Sequence, residues 1–148
     1  MNLTKSVIIG LLLFPLLVIG SASQAESGKL NAPMEELLQS YRLEAEKGEP
    51  GFTGFSATEG KKLFTTKRLH SKVHKERSCS TCHTKNPTHT GRTPVGKTIK
   101  PIARSANSDR FTVPKKVKKW FRRNCKWVLE RECTAQEKGN YITFMLSQ

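Results

Sequence analysis

The run Cys79-Ser80-Thr81-Cys82-His83 decides how the rest of this 148-residue chain is read. Two thiols at that spacing can add to the two vinyl groups of a single porphyrin, while the next residue sets an imidazole on the iron. In an exported protein, C-x-x-C-H is the attachment pattern of c-type haem. One covalent haem c is therefore the expected cofactor, with Cys79 and Cys82 as anchors and His83 as proximal iron ligand. Zinc is the rival, since Cys79, Cys82, His83 and one further cysteine would make a Cys3His site. The remaining cysteines, Cys125 and Cys133, lie eight apart rather than in a second close pair, which counts against zinc. The free ring nitrogen of His83 should donate to a backbone carbonyl, which fixes the ring's orientation; that of Pro101 is one candidate.

The N-terminus supplies the export address. Lys5 gives a positive start, Val7 to Ile19 an apolar stretch, and Ser23-Gln24-Ala25 a small-x-small cleavage site. The apolar stretch falls short of the roughly 20 residues a membrane span needs. An uncleaved anchor is the runner-up. Removal of residues 1–25 leaves 123 of the 148 residues, beginning near Glu26. The expected product is a periplasmic protein with no membrane span, a length suited to one domain. Residues 26–66 would form its N-terminal helices, and residues 67–148 the haem-attachment and C-terminal helical part. With two cysteines committed to haem, Cys125 and Cys133 are one even pair, and an oxidising compartment favours their disulfide.

The net charge of +14 is unevenly spread. Between Lys61 and Lys126 stand twenty lysines and arginines against two acids, Glu76 and Asp109. Such a field can steer an acidic redox partner to its docking face; a solvated basic surface of no specific use explains it equally well. Nucleic acid, the usual partner at this charge, is excluded by export.

Outward from the motif the chain reads as helical. Asn31 to Glu46 carries Met34, Leu37, Leu38, Tyr41 and Ala45 on one stripe, with Gly48 as its stop. Ser56-Ala57-Thr58-Glu59 has capping-box spacing and opens a helix through about Thr66. From Thr66 to Ile102 a mostly polar loop is expected. Pro114 starts a helix reaching about Cys125, and Thr134-Ala135-Gln136-Glu137 is a second capping box opening a last helix through Leu146. The fold class is all-α: a small helical shell around one haem, with long loops.

The sixth iron ligand decides what such a haem does. Methionine raises the potential and suits electron transfer, whereas a weak ligand opens the iron to small gases. Met34 and Met145 sit among apolar neighbours and read as core. His70, His74 and His89 read as solvated loop residues. Asn124 falls on the stripe of Val117, Trp120, Phe121 and Val128. A buried amide left unpaired costs about 1–3 kcal/mol, and iron or an iron-bound ligand would satisfy it. On the residues alone, closing the helix is the preferred role for this Asn. Residues eight apart on a continuous helix are separated by about 12 Å of rise, while a disulfide needs Cα atoms within about 4.4–6.8 Å. If Cys125 and Cys133 are bonded, the helix must stop near Cys125 and turn back, clamping the backbone beside Asn124.

Gly91-Arg92-Thr93-Pro94-Val95-Gly96-Lys97-Thr98 matches the phosphate-binding G-x-x-x-x-G-K-T pattern. That pattern works only between a buried strand and a helix N-terminus. No apolar strand precedes it here and Pro101 would break the helix on its other side, so it is read as a coincidence.

Taken together, Cys79 to His83, Gly96-Lys97-Thr98-Ile99 with Pro101, Arg110-Phe111-Thr112, Lys119-Trp120-Phe121-Arg122-Arg123-Asn124-Cys125, and Arg131-Glu132-Cys133-Thr134 with Glu137-Lys138-Gly139 resemble the SHP-type (sphaeroides haem protein-like) cytochromes c. The resemblance is close from His70 to the C-terminus and looser over the two earlier helices. It implies a class I-like mono-haem fold, with Cys79 and Cys82 binding haem, His83 proximal, and a disulfide between Cys125 and Cys133. It also makes Asn124 a weak distal ligand that leaves the iron on reduction and admits oxygen or nitric oxide. The electron donor it implies is another cytochrome, either a di-haem cytochrome c or a membrane cytochrome b. Two departures stand out: Arg104 occupies the place of a proline, and Val113 that of an acidic cap. The rival functions are a conventional carrier with Met or His as sixth ligand, and a haem enzyme such as a peroxidase or nitric oxide dioxygenase.

Overall fold

Asn31 starts the first helix, α1 (Ala32–Gly48), by accepting the Met34 N–H on its side-chain oxygen, with Pro33 in the first turn. The computed structural model describes residues 29–148, so the leader expected over residues 1–25 lies outside the described residues. Met34, Leu37, Tyr41 and Ala45 form the buried stripe of α1, and Leu38 packs at its margin. Gly48 is the helix's last residue rather than its stop; Glu49 closes it by donating its N–H to the Ala45 carbonyl.

The second helix, α2 (Ala57–Thr65), is capped by Ser56, which accepts from the Glu59 N–H, and it buries Leu63 and Phe64. Its partner is the C-terminal helix α5 (Ala135–Leu146), which opens with the full Thr134/Glu137 capping box. The two meet at Gly60, where a Cβ would overlap the Asn140 carbonyl. The Asn140 side chain in turn accepts the Ser56 N–H at 2.8 Å, pinning the start of α2 to α5. Helix α5 serves two cores. Ile142 joins the α1 stripe and Val117, while Phe144 and Met145 join Phe64 and Ile102.

Between α2 and residue 102 the chain is more ordered than the expected polar loop. Strands β1 (Arg68–Leu69) and β2 (Glu76–Arg77) pair antiparallel, a one-turn helix α3 (Ser80–His83) follows, and β3 (Gly91–Arg92) pairs antiparallel with β4 (Thr98–Ile99). Two-residue strands are too short to show an alternating pattern, so composition reads them as loop. A 3-10 turn (Arg104–Ala106) leads to helix α4 (Pro114–Leu129). Val113 gives α4 no side-chain cap, and Pro114 presets its first turn instead.

Helix α4 overruns its expected end at Cys125 by one turn. It stops where Glu130 adopts a left-handed conformation (φ 58°) and the backbone doubles back. Cys133 thereby comes within 5.6 Å (Cα–Cα) of Cys125, and the two are bonded. An overrun of one turn is only about 5.4 Å of rise, short enough to be recovered by that reversal. The return is braced by Lys126 against Glu132 (3.4 Å) and by Arg131, which grips Glu137 with two hydrogen bonds of 2.7 and 2.6 Å. Among the described residues no helix is long and apolar enough to cross a membrane.

Candidate functional site

Helix α3 is a single turn with a dedicated fastening. Ser78 and Thr81 exchange hydrogen bonds, each hydroxyl accepting the other's backbone N–H (3.0 and 3.2 Å). The Cys82 and His83 N–H groups both donate to the Cys79 carbonyl, so the two cysteines and the histidine share one tight turn. Both thiols are unpaired. Burial pushes the Cys79 thiol up to about 11 against the pull of Arg68, and burial likewise raises Cys82 against Arg77. His83 is pushed down to about 4 by burial and by the nearby Arg110 guanidinium. Its imidazole is therefore neutral at physiological pH, the form that binds a metal.

Two neighbours shape this turn. Gly91 of β3 lies against it so closely that a Cβ would overlap the Cys82 carbonyl, which is why β3 must be glycine there. Cys79 packs on the second core, beside Phe111 and Tyr141. The Pro101 carbonyl, a candidate acceptor for His83, has other donors: Asn107 Nδ2 at 3.1 Å and Arg110 Nε at 2.9 Å. Two donors fill an acceptor with two lone pairs, so the Pro101 carbonyl is occupied by Asn107 and Arg110 rather than by His83. Arg110 has a different role: it is anchored on the Lys100 and Pro101 carbonyls with its charge directed to His83.

Helix α4 supplies the other side. Val117, Cys125 and Val128 are its buried residues. Trp120, Asn124 and Trp127 follow one another at spacings of four and three on an adjoining, exposed flank, the indoles 49% and 52% exposed. The single buried stripe read from the sequence is thus two stripes. Asn124 is neither buried nor a cap, because the helix continues past it to Leu129. Among the described residues its amide has no hydrogen-bond partner.

This flank is tied to the residues leading into α3. The Arg77 guanidinium stacks on the Trp127 ring at 4.0 Å and donates to the Trp127 carbonyl, and its charge reaches Cys82. His70, expected in solvent, is only 8% exposed. Its ring meets the edge of Trp127 (6.5 Å), and its Nδ1 accepts the Lys72 N–H and lies 3.5 Å from Glu130. Glu130 also receives the N–H and hydroxyl of Ser71, and these bonds hold its carboxyl below the usual range. The β1–β2 hairpin therefore straps the end of α4 to the approach of the C-x-x-C-H turn. Sequence reasoning missed this strap; a Trp three residues after Asn124 and an Arg two before Cys79 were its visible signs. The structure unites Cys79, Cys82 and His83 on one turn and Cys125 with Cys133. No hydrogen bond or ring contact joins Asn124 to His83.

The donor set fits a haem. Two unpaired thiols and a neutral imidazole share a turn, and half-exposed indoles beside an unpartnered amide form a strapped-on flank of the kind a flat apolar macrocycle covers. Zinc fits poorly, because Cys125 and Cys133 are spent on each other and no three or more His, Cys, Asp or Glu are arranged to hold a metal ion among the described residues. Met34 and Met145 are fully buried packing residues of the two cores. The G-x-x-x-x-G-K-T stretch is the β3–β4 hairpin, with Gly96 at positive φ in its turn and no helix behind it.

Residues 50–145 match the family described as a domain of unknown function, DUF1924. The chain is 35% identical to cytochrome c'' of Methylophilus methylotrophus over 115 residues, 77% of this chain and 79% of that one. It is 38% identical to the cytochrome c-type protein SHP of Cereibacter sphaeroides over 113 residues, 76% and 82% of the two chains. Among solved structures, oxidised cytochrome c'' superposes with a TM-score of 0.71, covering 78% of this chain and 94% of that one at 35% identity. Oxidised SHP, described as an oxygen-binding cytochrome c, gives 0.69, covering 82% and 100% at 34% identity.

Proposed function

Because this chain belongs to the SHP-like cytochromes c, and so binds haem c, we propose that it is an exported mono-haem electron acceptor whose sixth ligand, Asn124, gives way on reduction to oxygen or nitric oxide. Cys79 and Cys82 hold the porphyrin by two thioether bonds. His83, kept neutral by burial and Arg110, would bind the iron through its ring lone pair. Asn124 would offer its amide oxygen as the further ligand. When bound, haem supplies a one-electron couple and an iron at which a diatomic gas can coordinate.

An amide oxygen is a modest donor, better matched to ferric than to ferrous iron. The observation that carries the reading is the unpartnered Asn124 amide between two half-exposed indoles, on the helix strapped to the C-x-x-C-H turn. With nothing else to hold it, Asn124 can swing clear without breaking a protein hydrogen bond. Description of SHP as oxygen-binding, and of cytochrome c'' in terms of haem-ligand detachment, supports the same behaviour here. The donor is a partner cytochrome, di-haem cytochrome c or membrane cytochrome b.

A conventional carrier is the second reading, favoured by the burial of His70 against Trp127 with only its Nδ1 engaged. Visible spectra of oxidised, reduced and carbon monoxide-treated protein separate the two. Asn124→Ala should convert the ferric spectrum to a five-coordinate or water-ligated form while His70→Ala leaves it unchanged. The opposite result assigns the ligand to His70, and resistance of the reduced wild type to carbon monoxide removes gas binding.

A further inference from the structure

We propose that the solvent face of α4 is the docking surface for an acidic, one-electron carrier protein. The proposal rests on the haem reading above and names the side from which the electron arrives. Lys115, Lys119, Arg122 and Lys126 follow at spacings of four, three and four, so they form one stripe about 16 Å long. All are exposed, and α4 holds no acidic residue. Only Lys126 meets a carboxylate, Glu132.

Cations elsewhere are either paired or turned inward, or, like the exposed Lys47, Lys61 and Lys75, spread singly over separate elements. Lys62, Lys67 and Arg131 face Glu59, Glu76 and Glu137, and Arg104 and Arg110 are turned onto backbone carbonyls. What sets α4 apart is that the cations of its stripe are gathered in one row on a single helix face with no acid among them. With Lys118 and Pro114, three of them line a shallow depression of about 550 Å³, suited to receiving carboxylate side chains.

The helix has three sides, and their order matters. One is in the core, the next carries Trp120, Asn124 and Trp127, and the third is this cationic stripe. A partner seated on the stripe lies one helix width, about 10–12 Å, from the flank bearing Asn124. The transfer balances simply: the donor loses one electron and the ferric protein gains it. An anionic bilayer is the competing occupant, but a surface helix needs a free apolar face to enter one. The apolar face of α4 is in the core, and its two half-exposed indoles lie on the flank the haem reading assigns to the porphyrin, each with a guanidinium stacked on it.

The test uses the full haem-loaded protein and, as probe, an acidic plant-type [2Fe–2S] ferredoxin. Its affinity is measured by calorimetry and its reduction of the ferric protein by stopped flow, each at about 20 mM and about 300 mM ionic strength. Lys115→Glu/Lys119→Glu/Arg122→Glu should weaken binding and slow reduction about 10- to 100-fold at low salt, and the difference should largely vanish at high salt. Lys47→Glu/Lys61→Glu/Lys75→Glu, exposed sites off α4 with the same change in net charge, should cost at most about threefold. Equal losses from the two triple variants, or no loss from the first, overturn the proposal. So does tight binding to phosphatidylglycerol vesicles that the α4 variant alone abolishes while ferredoxin affinity is unchanged. Failure of the haem reading is seen separately, as a colourless protein, whereas failure of the docking surface leaves the spectrum intact.

Discussion

Replacing the bridge with Cys125→Ser/Cys133→Ser should lower stability by an amount the structure lets one work out. The bond closes a loop of about nine residues, which removes about 9 cal/mol/K from the unfolded ensemble, or about 2.6 kcal/mol at 25 °C. A domain of about 120 residues unfolds with an entropy of about 250 cal/mol/K, so the midpoint should fall by about 10 °C. In the folded state the reversal keeps its other supports, namely Glu130 with Ser71, Lys126 with Glu132, and Arg131 with Glu137. The loss should therefore come from the unfolded ensemble, with the oxidised spectrum of the variant unchanged at 25 °C. Thermal melts of the haem-loaded proteins by far-ultraviolet circular dichroism give the first quantity, and visible absorption the second. A midpoint shift under about 2 °C would refute the loop-closure reasoning. A variant that loses its ferric spectrum well below its melting point would show instead that the bridge holds Asn124 in place directly.

Gly91→Ala should cost about 1–3 kcal/mol, because its methyl group must push β3 away from the Cys82 carbonyl; a urea midpoint equal to wild type would contradict the close approach. Glu137 gives a pH prediction with a definite sign. Burial alone would raise its carboxyl, but Arg131 and the Thr134 N–H outweigh burial and hold it below its ordinary 4.5. A depressed acid stabilises the fold above its unfolded value and loses that contribution as pH falls through the folded value. Between pH 7 and about pH 3 the wild type should thus lose more of its urea midpoint than Glu137→Gln, the difference arising below about 4.5. Parallel profiles would mean that the pair contributes nothing.

What could be read without coordinates was local or covalent. The caps at Asn31, Ser56 and Thr134 depend on residues three apart, and all three open helices here. The C-x-x-C-H spacing is a statement about bond reach on one turn. Helical periodicity placed Met34, Leu37, Tyr41 and Ala45 correctly, yet it merged two faces of α4. Trp120 is as apolar as Val117, and only the packing of α1 and α5 decides which of them is covered. The end of α4 was misplaced because a helix can overrun a disulfide partner when the next residue turns left-handed, and Glu130 carries no glycine signal for that. His70 looked solvated because its cover comes from Trp127 and Glu130, more than fifty residues away.

The three-sided division of α4 also restricts its length. One extra residue anywhere between Pro114 and Trp120 would turn the remainder by about 100°, handing every later side chain its successor's station. Arg123 would then stand where Asn124 stands, Asn124 would be driven toward the core in place of Cys125, and the bridge to Cys133 would lose its mate. Insertions that the exposed β3–β4 turn could absorb would here exchange all three surfaces at once, so spacing in this helix is under as strict a constraint as side-chain identity.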